Sequence, residues 1–193
     1  MSQLKAFDVA RSRKRLIVRP GKRAWWGVDP STKRVAIAYV DSEGRRGSAI
    51  RSLPTLLGAE RLDAIRGATV ELCELLRLEP IGAEPGVIVV EEPAGFGKRP
   101  NPELAYATGA VLCGLVPGAP HTHVDFVASA KWKLNVCGYG AISKPKPTEK
   151  RAYEVLEWAR REGYEGTSWD ESDAWAIAEY AREAYELDER GLT

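Results

Sequence analysis

The sequence predicts an α/β domain: a five-stranded mixed sheet, three strands antiparallel and two parallel, flanked by helices. Three observations carry this. Short apolar segments at 24–29, 33–44 and 44–53 follow one another closely, with Gly44 marking a turn, as in an antiparallel meander. Val87, Ile88, Val89 and Val90 then form an unbroken apolar run, as expected of a central strand covered on both faces. From there on, segments of helical periodicity alternate with strand-like ones.

The elements follow in order. Residues 1–23 contain RSRKR and read as a basic arm, leaving 24–193 as a single domain. AWWGVD is the first strand, and KRVAIAYVDSEG and GRRGSAIRSL supply the next two. Between Pro54 and Leu78 the residues Leu57, Ile65, Leu72, Leu75 and Leu76 recur at helical spacing. GVIVV is the fourth strand. Residues 102–115 form a helix with proline in its first turn. HVDFVA is the fifth strand, SAKWKLNV a short helix or turn, and CGYGAISKPKP a loop. Helices over 148–163 and 169–188 complete the pattern.

At 193 residues and 44% hydrophobic content, the chain suits one sizeable domain. No apolar run approaches the roughly 20 residues of a membrane helix, and no signal-peptide pattern opens the chain, so a cytoplasmic protein is expected. Cys73, Cys113 and Cys137 are odd in number and widely spaced, which argues against a disulfide frame or zinc knuckle. His121 and His123 flank a strand start and read as solvent-facing rather than metal-binding. The net charge of +1 conceals a strong asymmetry. Residues 1–23 carry eight Lys or Arg against one Asp, and 131–151 carry six against one Glu, whereas 152–193 carry twelve acids against four Arg. Two basic segments in a nearly neutral chain suggest contact with a polyanion.

The acids raise a sharper question. The buried fourth strand ends on Glu91 and Glu92, and a carboxylate there costs desolvation unless something compensates it. The first strand likewise runs apolar into Asp29 before Pro30 stops it. In SWDESDAWAIAEYAREAYEL, Ser168 and Glu171 form a capping-box pattern that starts the last helix. Asp170 and Asp173 then share one face, continued by Ala174, Ile177 and Ala181, with Glu179, Glu183 and Glu186 opposite, in water. Dipole stabilisation of the helix start accounts for Asp170 better than for Asp173. Four carboxylates converging from two strand ends and one helix turn would repel one another unless they bound protons or metal. Hard oxygen donors select Mg²⁺ or Mn²⁺, and such a set beside basic segments suits two-metal attack on a phosphodiester. Side chains alternate along a strand, so Glu91 and Glu92 point to opposite faces. Glu91 is the last residue in register with the apolar run and is the expected ligand; Glu92 faces the loop.

GVDPST, VIVVEEP and DESDAWAIA together resemble the RuvC-type Holliday-junction resolvases of the RNase H-like superfamily, over residues 24–181. The resemblance implies an RNase H-like fold and Mg²⁺-dependent nicking of branched DNA by a homodimer. It carries metal-ligand and catalytic roles to Asp29, Glu91, Asp170 and Asp173. The segment CGYGAISKPK is similar to a glycine-lysine loop that the family places over DNA. Two departures stand out: the basic arm, and an aromatic residue that bacterial members place soon after the strand glutamate, whereas here Phe96 comes later. A divergent or phage-type member is therefore expected.

Lys144 and Lys146 are candidates for phosphate contact or for meeting the charge that develops in the transition state, with Lys98, Arg99 and Phe96 as further DNA-binding candidates beyond the Glu91 strand. Trp25 and Trp26 read as core, as does Trp132, although its flanking lysines also suit base stacking. Trp175 falls on the polar side of its helix and reads as an interface residue. Rival functions are a nuclease of the same superfamily acting on flaps, forks or RNA-containing duplexes, and a non-cleaving binder of structured nucleic acid. Four acids facing phosphates argue against the pure binder.

Overall fold

The computed structural model describes residues 23–78, 84–93, 101–115, 122–138 and 148–189. Its element order is β1 (Arg23–Pro30), β2 (Arg34–Asp41), β3 (Arg46–Ser52), α1 (Gly58–Leu78), β4 (Glu84–Glu91), α2 (Pro102–Leu115), β5 (His123–Val127), α3 (Ser129–Cys137), α4 (Thr148–Arg161) and α5 (Trp169–Glu189). The strands form one sheet in the order β3-β2-β1-β4-β5. β1, β2 and β3 pair antiparallel, while β4 pairs parallel with both β1 and β5. Gly44, at φ 78°, makes the β2–β3 turn in a region that costs most side chains dearly.

Side-chain alternation divides the core in two. Trp26, Val28, Val35, Ile37, Tyr39, Ile88 and Val90 face α1 and α2, meeting Ile65, Leu72, Leu76 and Val111. Trp25, Ala36, Ala38, Val40, Val87 and Val89 face the other way, toward α3, α4 and α5. Parallel β1 and β4 end at the same edge, with Val28 beside Val90, so their terminal acids lie next to one another. Both Asp29 and Glu91 continue the odd-numbered rows that face α5.

Several expectations need correction. The first helix begins at Gly58, four residues after Pro54, and Leu57 and Leu75 are exposed although they fit the helical repeat. Trp175 is not at an interface. It is buried, with its ring centroid 5.4 Å from that of Tyr164, because α4 packs against that side of α5. Glu179 is not in water either; it is buried and paired with Arg46 and Arg182. The helical wheel put these residues outside because it assumes one covered face, and α5 is covered on two. The capping pattern forms by half. The Ser168 hydroxyl accepts from the Glu171 amide at 3.3 Å, but the Glu171 carboxylate accepts instead from Ser48 and Tyr164, at 2.7 and 2.9 Å. The cysteines are free. His123 lies 3.1 Å from the Tyr185 hydroxyl, while His121 falls outside the described residues.

Candidate active site

Gly27 determines how the site assembles. It lies on the α5-facing side of β1, and a Cβ there would stand 2.2 Å from both the Ala174 carbonyl oxygen and the Ala178 amide nitrogen. Any side chain would lift the helix away. With glycine, α5 rests on the strand backbone, and its small residues Ala174, Ala178 and Ala181 are fully covered. Asp29 is two residues beyond Gly27 on the same face, and Asp173 and Asp170 lie at and just before the contact. The helix thus carries two acids to the strand ends that carry Asp29 and Glu91.

Each of three acids has its own partner. Glu91 Oε2 accepts a hydrogen bond from Trp132 Nε1 at 3.0 Å. Asp173 Oδ2 lies 3.4 Å from Lys133 Nζ, and Asp170 Oδ2 lies 2.9 Å from Arg34 Nη1. Consecutive residues of α3 therefore serve two different acids. These contacts answer what compensates the acid at the end of β4: an indole N–H, the Ser129 hydroxyl and the Lys133 charge. Glu92 instead donates its amide to the Val127 carbonyl at 2.9 Å, extending the β4–β5 ladder.

The acids still perturb one another. Burial, followed by the charges of Glu91, Asp173 and Asp170, raises Asp29 well above its ordinary value, with Lys133 opposing. Burial also lifts Asp173 to about 7; Lys133 pulls it down, while Glu91 and Asp170 push it up. Glu91 is raised by burial, against the pull of Lys133, Trp132 and Ser129. One lysine and one half-exposed arginine do not balance four carboxylates, so the site favours a further positive charge, as protons or as a cation.

The donor set fits a hard divalent ion: every candidate ligand is a carboxylate oxygen. Asp173 Oδ1 is buried without a hydrogen-bond partner among the described residues, which an ion would supply. As the side chains stand, no group of three His, Cys, Asp or Glu among the described residues is drawn together tightly enough to hold an ion. Asp170 is turned to Arg34 and Asp173 to Lys133, so closing on an ion requires these two side chains to rotate.

Sequence reasoning singled out the acids but assigned no role at this edge to Arg34 or Lys133, and it read Trp132 as core packing. Trp132 is fully buried, and it also donates to Glu91. The lysine beside a tryptophan in KWK was a signal for the first two partners of the acids; nothing in sequence pointed Arg34 across the fold to Asp170. Trp169 and Leu134, 46% and 47% exposed, are the sequence neighbours of Asp170 and Lys133. Phe96, Lys98, Arg99, Lys144 and Lys146 lie outside the described residues, as does the arm up to residue 22.

This strand order, with the last helix laid across the central strand, defines an RNase H-like fold in its RuvC arrangement. The solved structures give it particular counterparts. Thermus thermophilus RuvC is similar over 89% of this chain and 98% of its own, at a TM-score of 0.59 and 20% identity. T. thermophilus RuvC in complex with a Holliday junction substrate is similar over 88% and 97%, at 0.57 and 19%. The yeast mitochondrial Holliday junction resolvase Ydc2 is similar over 85% and 80%, at 0.50 and 12%. No family model matches the chain, and no curated protein matches it in sequence. No helix among the described residues is long and apolar enough to cross a membrane.

Proposed function

We propose that the chain is a divergent RuvC-like endonuclease that cuts Holliday junctions or related branched DNA in the cytoplasm. The observation that carries this reading is the gathering of Asp29, Glu91, Asp170 and Asp173 at one edge of a RuvC-type sheet. There burial, and after it the charges of Glu91, Asp173 and Asp170, raise Asp29 well above its ordinary value. Evenly solvated surface acids would not create that demand for positive charge.

In this reading Asp29, Glu91, Asp170 and Asp173 hold Mg²⁺, with Mn²⁺ as a substitute. Bound there, two such ions would lower the pKa of a water toward neutrality and offset charge on the leaving oxygen. The protein's own groups do the rest. Lys133, paired with Asp173, keeps a positive charge beside the acids and faces the charge that develops on the scissile phosphate. Arg34, half-exposed, releases Asp170 and turns to the DNA backbone. Trp169 and Leu134 offer apolar surface to bases or sugars next to the cut. Lys98, Arg99, Phe96, Lys144 and Lys146 extend the DNA contact, with Lys144 and Lys146 on backbone phosphates. Each 21.2 kDa chain carries one acid set. Symmetric cutting of a four-way junction needs two, which a two-fold homodimer supplies. α1 and α2, with Leu75 and Tyr106 exposed, are the proposed contact face.

The test is cleavage of junction, fork, flap and linear duplex DNA of one sequence, with Mg²⁺ and with EDTA, by wild type and Asp173→Asn. Paired symmetric nicks in the junction, lost in EDTA and in the variant, support the reading. Full activity in EDTA overturns the metal mechanism. Single nicks confined to flaps or forks assign the protein to the rival nuclease class, and metal-independent binding without cleavage assigns it to structural recognition.

A further inference from the structure

Trp132 touches two members of the site at once, Glu91 and Lys133. Its indole N–H donates to Glu91 Oε2 at 3.0 Å, and its ring face carries the Lys133 ammonium 4.5 Å from the centroid. Its ring is fully buried, while the Lys133 side chain it carries is 19% exposed. Two other buried tryptophans, Trp26 and Trp175, have no hydrogen-bond partner for their indole N–H among the described residues. The core of this protein thus tolerates an unpaired indole, and the bond from Trp132 to Glu91 is not explained by a general need to satisfy buried donors.

We propose that Trp132 is a positioning residue: it fixes the Glu91 carboxylate toward the acid cluster and holds Lys133 beside Asp173. The inference deepens the proposed metal-dependent reading and rests on it for the ion. Four features of the geometry support it. Glu91 ends a strand, where a long carboxylate side chain keeps much rotamer freedom. The indole bond removes that freedom, with help from Ser129 at the start of the same helix. A planar ring packed in the core cannot follow the carboxylate if it rotates. A cation–π contact over the same ring restrains the Lys133 side chain in the position where it meets Asp173. Partners that orient a ligating carboxylate typically change metal affinity by 10–100-fold when lost.

The experiment has a metal arm and a metal-free arm. Mn²⁺ affinity is measured by electron paramagnetic resonance of the free ion for wild type, Trp132→Phe, Glu91→Gln and the double variant. Phenylalanine keeps a ring beneath Lys133 and removes the N–H. The expected result is roughly tenfold weaker binding in Trp132→Phe, with no further loss when Trp132→Phe is added to Glu91→Gln. Equal losses in both backgrounds, or unchanged affinity, overturn the proposal. The metal-free arm follows the Trp132 indole resonance in ¹⁵N-correlated spectra in EDTA. It should move in Glu91→Gln and stay in place in Glu92→Gln, and an indole unmoved by Glu91→Gln overturns the contact itself. Wild-type protein that binds no Mn²⁺ overturns the metal reading; the positioning of Glu91 then stands or falls on the indole resonance alone.

Discussion

The backbones of Gly27 and Ala174 touch: a Cβ on Gly27 would stand 2.2 Å from the Ala174 carbonyl oxygen, with the Ala178 amide nitrogen equally close. Helix α5 sits on β1 without an intervening side-chain layer, and the acids on either side of this contact are brought together by it. Gly27→Ala should therefore destabilise by about 3 kcal/mol, the upper end for overpacking, because backbone on both sides resists relaxation. Urea unfolding measures the loss. Residual cleavage at a temperature where the variant is still folded should fall further than stability alone explains, since the helix that carries Asp173 has been lifted from Asp29.

Neutralising the acids separates function from stability. Asp29→Asn, Glu91→Gln and Asp173→Asn should each reduce cleavage by at least a hundredfold while leaving DNA binding intact or tighter, because each removes a negative charge facing phosphates. In EDTA, Asp29→Asn and Asp173→Asn should melt above wild type, as both acids are held above their ordinary values by burial and repulsion. Melting curves with and without Mg²⁺ would check this, and lower metal-free melting temperatures for both would contradict it.

Two acids give opposite pH dependences. Asp173 is raised to about 7, so in EDTA the folded protein binds its proton more tightly than the unfolded chain does. Its contribution to stability is present below the ordinary value of 3.8 and is lost as pH rises toward about 7. Asp41 behaves in the reverse sense. Burial would raise it, but hydrogen bonds from the Arg45 side chain and from the Arg45 and Glu43 amides prevail and lower it. Its contribution is present above 3.8 and is lost as pH falls through the depressed value. Asp173→Asn should flatten the neutral side of the metal-free stability curve, and Asp41→Asn the acid side, as read by urea unfolding between pH 3 and 8.

Glu179 should behave as a structural charge. It is buried between Arg46 of β3 and Arg182 of its own helix, at 3.2 Å from Arg46. Glu179→Ala leaves two arginines without their central partner. Because both are about a quarter to a third exposed, the expected loss is about 1–3 kcal/mol, below that of a wholly buried pair. Junction cutting by the folded variant should be unchanged, since the cluster lies at the far side of α5 from the acids; a selective loss of cutting would count against that placement.

The basic arm should act through charge. Deleting residues 1–22 removes seven Lys or Arg and one Asp. Binding to every DNA shape should weaken alike, and the slope of log affinity against log salt should flatten. Loss of preference for branched DNA at unchanged duplex affinity would assign the arm to shape recognition instead. Filter binding across a salt series distinguishes the two.

Sheet and helices were legible in sequence because their signals are local. Gly44 marked the β2–β3 turn, the Val87–Val90 run marked a doubly covered strand, and Pro102 opened α2 where expected. Alternation along β4 also placed Glu91, rather than Glu92, on the face that receives α5. What escaped sequence reasoning depends on non-local packing. Trp175 and Glu179 looked exposed because a helical wheel cannot know that α4 covers a second side of α5. Leu57 and Leu75 fit the helical repeat yet remain exposed. Gly27 reads as a weak residue within a strand until Ala174 is found against it. The partners of the acids are likewise long-range: Arg34 meets Asp170 across 136 positions of sequence, and no spacing rule reaches that far.

The order in which the ribosome delivers the acids adds a consequence of the α5 contact. Asp29 and Glu91 emerge first, on strands whose α5-facing side is still bare, while Asp170 and Asp173 emerge only after all five strands have been made. A nascent or prematurely terminated chain holds half a charge cluster and an uncovered apolar sheet, a combination that chaperones and proteases recognise. The four-acid cluster is thereby incomplete until synthesis has passed the helix that completes the fold.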